Sequence, residues 1–102
     1  MADLLEDVKG SLRITWSEED AYLNRMIERA KTYLDQLIGT SFDYDQEGQH
    51  KTLLLERCRY VYNNAAYEFE INYAHEISRL MLDVAIQKAG EQDGETATYR
   101  NI

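Results

Sequence analysis

The residues of this chain whose types could do chemistry are one cysteine and two histidines, and their spacing fits no known site. The run His75-Glu76-Ile77-Ser78-Arg79 begins like the HExxH motif of helical zinc proteases. That motif needs a second histidine four residues after the first, where this chain has Arg79. His50 and Cys58 do not complete the ligand spacing of a zinc site either. We therefore expect no metal and no cofactor.

Nucleophilic catalysis is also not indicated. Cys58 lies on the apolar stripe of a predicted helix, where a thiol packs as a small hydrophobic side chain. Arg57 and Arg59, which would lower its pKa if they lay against it, point elsewhere on a helix. The chain has no glycine-rich phosphate loop and no serine in a nucleophile turn. We predict that the protein is not an enzyme, since an active site would need an unpredicted cluster of His75, Glu76 and Cys58.

The charge balance points to a surface that does not grip nucleic acid. Asp and Glu number 19 against 11 Lys and Arg, which gives a net charge of −8. Such a surface cannot wrap DNA by neutralising its phosphates. It either confers solubility or suits a protein that lies near nucleic acid without binding it. No signal peptide or apolar run of about 20 residues is present, so we expect a soluble protein that is made in the cytoplasm and has no membrane partner.

The elements that must position these side chains begin with two helices. Apolar residues at helical spacing predict a short first helix that ends around residues 11–13. Ser17, followed by three acidic residues, is typical of a capped helix start. The apolar stripe from Leu23 to Ile38 then predicts a long helix. Gly39 supplies the left-handed residue that commonly ends one.

Residues 40–49 show no helical stripe and are predicted to form a loop longer than most helix connections. Binding residues of small domains often lie in such loops. Phe42 and Tyr44 could either anchor this loop or contact a partner. The acidic Asp43 and Asp45 alternate with them, so all four residues are candidate contacts.

The second half of the chain predicts helices with one break. Residues 49–89 contain no glycine or proline, yet a single helix of this length would span about 60 Å. We expect a break between Asn63 and Asn72, where the weakest helix formers lie. Gly90 is predicted to end the last helix. The polar residues 91–102 would then form a flexible tail that is either disordered or ordered by a partner.

The sequence therefore predicts an all-α fold, with a short N-terminal helix and three longer helices in a small bundle. Residues 1–90 would form the domain and residues 91–102 the tail. The predicted core consists of apolar residues from all of these helices: Leu5, Val8, Leu12, Leu23, Ile27, Ala30, Leu34, Leu54, Cys58, Val61, Ile77 and Leu80.

The order of these elements resembles the head–tail connector proteins of tailed bacteriophages, also called adaptor or head completion proteins. The resemblance is carried by the segments LLEDVKGSLRI, WSEED and AYLNRMIERAKTYLDQLIG, and by RCRYVYNNAAYEFEINYAHEISRLMLDVA in the second half. It implies a structural subunit of the virion, about a dozen copies of which form a ring below the portal protein. The ring would extend the DNA channel, let DNA pass without specific binding, and provide the docking surface for a stopper or tail-completion protein.

The resemblance also implies where the contacts lie. The C-terminal segment of such proteins commonly engages the portal. The expected portal contacts are therefore the last four residues: Tyr99, Arg100, Asn101 and Ile102.

The predicted loop takes a second role under the same resemblance. Its four candidates, Phe42, Asp43, Tyr44 and Asp45, would make intersubunit contacts or line the channel. An acidic lining would repel phosphate and let the duplex slide. From the residues alone, the alternative is a small helical interaction or regulatory domain without a virion role, docking through an amphipathic groove.

Overall fold

The protein is all-α, as predicted. The computed structural model describes residues 4–96, with side-chain environments for residues 4–90, and this part of the chain forms five helices. They are α1 (Leu4–Leu12), α2 (Asp20–Ile38), α3 (Gln49–Tyr62), α4 (Ala66–Asn72) and α5 (Ala74–Thr96). The first three helices pack against one another, α4 packs against α3, and α5 contacts α4 and α2.

The short first helix ends where the sequence indicates. Arg13 adopts a left-handed conformation, with φ of 61°. The N–H of Ile14 donates to the carbonyl of Lys9 at 2.8 Å. This bond satisfies a carbonyl of the last helical turn. It also turns Ile14 into the core, where its side chain is buried.

The start of α2 differs from the prediction. Ser17 was expected to cap the helix, but α2 begins at Asp20 and the residue before it, Glu19, makes no side-chain cap. The Glu19 carboxylate instead accepts hydrogen bonds from Trp16 Nε1 at 2.7 Å and from the Tyr62 hydroxyl at 3.1 Å. The prediction of a Ser17 cap is wrong because the chain forms a turn here, in which the Asp20 N–H donates to the Ser17 carbonyl at 3.1 Å.

The end of α2 confirms the sequence-based prediction. Gly39 is left-handed, with φ of 94°, and its N–H donates to the Asp35 carbonyl at 2.8 Å. Other residue types carry a steric cost in this conformation because of their Cβ atom.

The second half of the chain has two breaks. The predicted break is confirmed, since Asn63, Asn64 and Ala65 separate α3 from α4 and Asn64 is left-handed, with φ of 60°. A second break at Tyr73, with φ of −112°, was not predicted. Asn72, one of the weak helix formers named above, directly precedes it, but only one break was expected.

The prediction that Gly90 ends the last helix is wrong, because α5 continues to Thr96. An exposed glycine inside a helix costs about 1 kcal/mol relative to alanine. Ala89, Glu91 and Gln92 around Gly90 are all good helix formers, and they offset that cost.

The core lies where the helices meet. Most of the predicted core residues are buried, whereas Leu5, Leu12 and Val61 are partly buried and pack against its edge. The core also takes in large residues that were not assigned to it from the sequence: Leu4, Ile14, Met26, Ile38, Tyr44, Leu53, Phe69 and Val84.

Two lysines are buried beside this core, each in an ion pair. Lys9 Nζ lies 2.8 Å from the Asp20 carboxylate, and their hydrogen bond raises the pKa of Lys9. Lys51 Nζ lies 2.8 Å from Glu47 and 2.9 Å from Asp7, and its hydrogen bond to Glu47 together with the nearby Asp7 carboxylate raises the pKa of Lys51. Because a buried charge is costly without a partner, these pairs fix α1 against α2 and α3.

Candidate docking surfaces

The residues that could do chemistry lie in different environments. Cys58 is fully buried, and burial raises the pKa of its thiol to about 12, so it is protonated at neutral pH. His75 is exposed on α5. Within residues 4–90, no group of three or more His, Cys, Asp or Glu side chains could hold a metal ion. The other candidate sites are surfaces that could bind another macromolecule.

The predicted loop between α2 and α3 is held by its aromatic side chains. Tyr44 is buried, and its hydroxyl donates to Asp35 Oδ1 at 2.8 Å. Burial, with this hydrogen bond, raises the pKa of Tyr44. The Phe42 N–H donates to the same oxygen at 3.3 Å, and the Phe42 ring stacks on His50 at 5.2 Å between centroids. Of the two roles left open for Tyr44, the structure supports that of loop anchor.

The two acidic residues of the loop are exposed. The Asp43 carboxylate accepts a hydrogen bond from the Asp45 N–H at 3.0 Å, and the Asp43 carbonyl accepts one from His50 Nε2 at 2.8 Å. Both carboxylates remain open to solvent. A role for this loop at a subunit contact or in the channel therefore stays a prediction, with Asp43 and Asp45 as its exposed groups.

A surface that sequence reasoning missed is the outer face of α4 and α5, here called the α4–α5 ridge. Each helix buries one apolar face, led by Phe69 on α4 and Leu80 on α5. The opposite face of each helix carries large exposed apolar side chains, and the exposed polar residues His75 and Arg79 lie between those of α4 and those of α5. The ridge consists of two pairs spaced four residues apart, with their exposed fractions: Tyr67 (76%), Ile71 (75%), Leu82 (60%) and Ile86 (59%).

A second surface is a groove between α2, α3 and the start of α4, here called the arginine groove. It encloses a cavity of about 230 Å³. Met26, Ala30, Val61 and Ala66 supply its apolar lining. Its remaining lining residues are one aromatic and three basic side chains: Tyr22, Arg25, Arg29 and Arg57.

The three arginines of the groove differ in how they are held. The Arg57 guanidinium lies 3.8 Å from the centroid of the Tyr33 ring and donates to the Ala66 carbonyl at 3.1 Å. Arg25 and Arg29 are exposed, one turn apart on α2, and form no hydrogen bond or ion pair with any residue among 4–90. In a chain of net charge −8, the groove is thus a local positive site with free donors.

The sequence did contain signals for both surfaces. Tyr67 and Ile71, like Leu82 and Ile86, are four residues apart, which places each pair on one helix face. Arg25 and Arg29 have the same spacing. What the sequence did not show is that no other helix among residues 4–96 covers these faces.

The predicted portal contacts Tyr99, Arg100, Asn101 and Ile102 lie outside the described residues.

Comparison with known proteins gives one family. A family model described as phage gp6-like head-tail connector protein matches residues 2–100. Neither the curated proteins nor the solved structures gave a significant match. The family match spans nearly all of the 102 residues, so it includes the loop, the ridge and the groove.

Proposed function

This chain belongs to the phage gp6-like head–tail connector family, and from that membership we propose that its copies form a ring bound below the portal. The family is a structural one, which makes the protein a virion component that meets other phage head and tail proteins. The single observation that carries the proposal is the family match over residues 2–100. It favours a virion role over the alternative of a regulatory domain outside the virion.

The described surface supports assembly into a ring. A ring of identical subunits needs two different patches on each copy, because its contacts are head-to-tail. The α4–α5 ridge and the arginine groove are two such patches, one apolar and one basic.

We further propose how the ring meets its partners. The C-terminal residues Tyr99, Arg100, Asn101 and Ile102 bind the portal. The ring extends the channel, and its other face receives a stopper or tail-completion protein. DNA passes without specific binding because an acidic protein repels phosphate.

The loop between α2 and α3 is assigned to the contact between copies or to the channel. Asp43 and Asp45 present exposed carboxylates there, while Tyr44 holds the loop in place. None of the helices among the described residues is long and apolar enough to cross a membrane. We propose no catalytic role.

Electron microscopy of purified portal rings mixed with the full chain tests this proposal. We expect a collar of subunits on one face of the portal, and its symmetry gives the number of copies. A variant ending at Thr96 serves as the matched control, and it should lose portal binding if the C-terminal residues make the contact. Portal rings that stay bare at saturating full-length protein would contradict the proposal.

A further inference from the structure

We propose that the α4–α5 ridge of one copy docks into the arginine groove of the next. This inference rests on the proposed function and deepens it, since it names the two surfaces that join neighbouring subunits. The occupant of the groove is therefore a second copy of this chain.

The ridge supplies the apolar half of the contact. Large apolar side chains exposed together on a helix face often mark sites of protein–protein contact. Tyr67, Ile71, Leu82 and Ile86 are each more than half exposed, although they belong to helices whose inner faces already fill the core. The groove offers Met26, Val61 and two alanines to receive such side chains. An amphipathic helix laid in an apolar groove is a recurrent mode of protein recognition.

Charge complementarity selects this pairing. Glu68 follows Tyr67 on the ridge and Asp83 follows Leu82, and both carboxylates are exposed without a partner among residues 4–90. The groove presents Arg25 and Arg29, which also lack partners there. Arginine binds carboxylates through paired, charge-assisted hydrogen bonds. Each surface thus carries the unpaired charges that the other needs.

The groove is also preorganised. Arg57 is fixed by the Tyr33 ring and by the Ala66 carbonyl, and the Tyr33 hydroxyl donates to the Glu70 carboxylate. A fixed arginine loses little side-chain freedom when a partner arrives. The two surfaces differ, and only α4 contributes to both, so the contact leaves one ridge and one groove free at the ends of any chain of copies. Such contacts close into a ring or extend as a filament.

Complementary variants of the full chain test the contact by sedimentation velocity over a concentration series reaching the millimolar range. Leu82→Asp disables the ridge, and Arg29→Glu disables the groove. In each variant alone, the dissociation constant for self-association should rise by more than about tenfold over that of the wild type. Their mixture retains one intact ridge and one intact groove, so it should form a dimer with one copy of each and nothing larger.

Matched controls separate the contact from general charge effects. Lys31→Glu changes the charge on α2 as much as Arg29→Glu does, and Ser11→Asp adds a carboxylate to an exposed site on α1, outside both surfaces. Both controls should associate like the wild type. Circular dichroism of every variant confirms that it is folded, and Leu82→Gln replaces Leu82→Asp if the latter is not.

The inference is overturned if the wild type stays monomeric at millimolar concentration, or if the ridge and groove variants associate as it does. A collar on the portal in which the ridge faces solvent would overturn it while leaving the proposed function standing. Bare portal rings would contradict the proposed function, whatever the chain does in solution.

Discussion

The three-helix bundle of α1–α3 and the arm formed by α4 and α5 use their apolar residues differently. In the bundle, Val8, Leu23 and Leu54 turn inward, and even two lysines are buried in ion pairs. In the arm, buried residues such as Phe69 are matched by exposed ones of similar size on the opposite face. The bundle exposes the unpaired arginines of the groove, whereas the arm exposes large apolar side chains. The contrast is therefore between a basic candidate docking surface, mostly on the bundle, and an apolar one on the arm.

The two regions meet around one acidic side chain of α3. The Glu56 carboxylate accepts hydrogen bonds from the Tyr73 hydroxyl at 2.7 Å and from Arg59 Nε at 3.0 Å. Tyr73 occupies the break between α4 and α5. These hydrogen bonds of Glu56, here called the joint, thus hold the arm at Tyr73, the residue between its two helices.

The largest effect on stability should come from the buried face of α4, with almost none from its exposed face. Phe69 is fully buried, and its ring lies 5.2 Å from Tyr73 and 5.8 Å from Tyr60 between centroids. Phe69→Ala should lower the free energy of unfolding by about 3–5 kcal/mol, because it leaves a cavity. Tyr67→Ala, two residues earlier, removes an exposed ring and should change it by less than about 0.5 kcal/mol. Urea unfolding measures both, and equal losses would mean that the ridge is covered in the monomer.

A second pair of variants compares two glycines that look alike in the sequence. Gly39 is left-handed at the end of α2, so Gly39→Ala should lower the free energy of unfolding by about 1–2 kcal/mol. Gly90 lies within α5, where alanine is the better helix former. Gly90→Ala should therefore raise the free energy of unfolding by up to about 1 kcal/mol and increase the helix content. Thermal unfolding followed by circular dichroism distinguishes them. A destabilised Gly90→Ala protein would restore the prediction that the helix ends there.

These glycines show what the sequence can and cannot predict. The end of α2 was predictable because a long stripe and a glycine agree within a few residues. The same glycine signal failed at Gly90, where the neighbouring residues favour a helix strongly enough to continue it. At Ser17 the capping pattern failed because a turn precedes α2, and the Glu19 carboxylate there accepts a hydrogen bond from Tyr62, which is 43 residues away in the chain.

The candidate docking surfaces were harder to predict than the fold. The spacing of Leu82 and Ile86 indicates a helix face, but only the packing of α5 on α2 and α4 shows that this face is uncovered. Met81, which follows the buried Leu80 on α5, is 41% exposed. Exposure depends on the arrangement of whole helices, which a local pattern does not contain.

Because Glu56 is ionisable, the joint between the two regions should make the free energy of unfolding depend on pH. Burial opposes ionisation of Glu56, but hydrogen bonds from Arg59 and Tyr73 prevail and lower its pKa. A lowered pKa stabilises the fold above the unfolded-state pKa of about 4.3, and this contribution is lost as the pH falls through the folded-state value. Glu56→Gln should therefore cost about 1 kcal/mol at neutral pH and progressively less in acid. Urea titrations across this range measure it, with the exposed Glu68→Gln as control; a cost that stays constant with pH would exclude the ionised carboxylate as the cause.

The smallest effect on stability should come from the ridge itself. Leu82→Gln replaces an exposed side chain by one of similar helix propensity, so the free energy of unfolding should change by less than about 0.5 kcal/mol. Leu80 lies two residues earlier, on the buried face of the same helix. Leu80→Gln should be strongly destabilising because it buries an amide without a partner. A folded and equally stable Leu82→Gln protein that no longer self-associates would show that this leucine serves assembly. A large loss of stability would instead show that both faces of α5 are buried in the monomer.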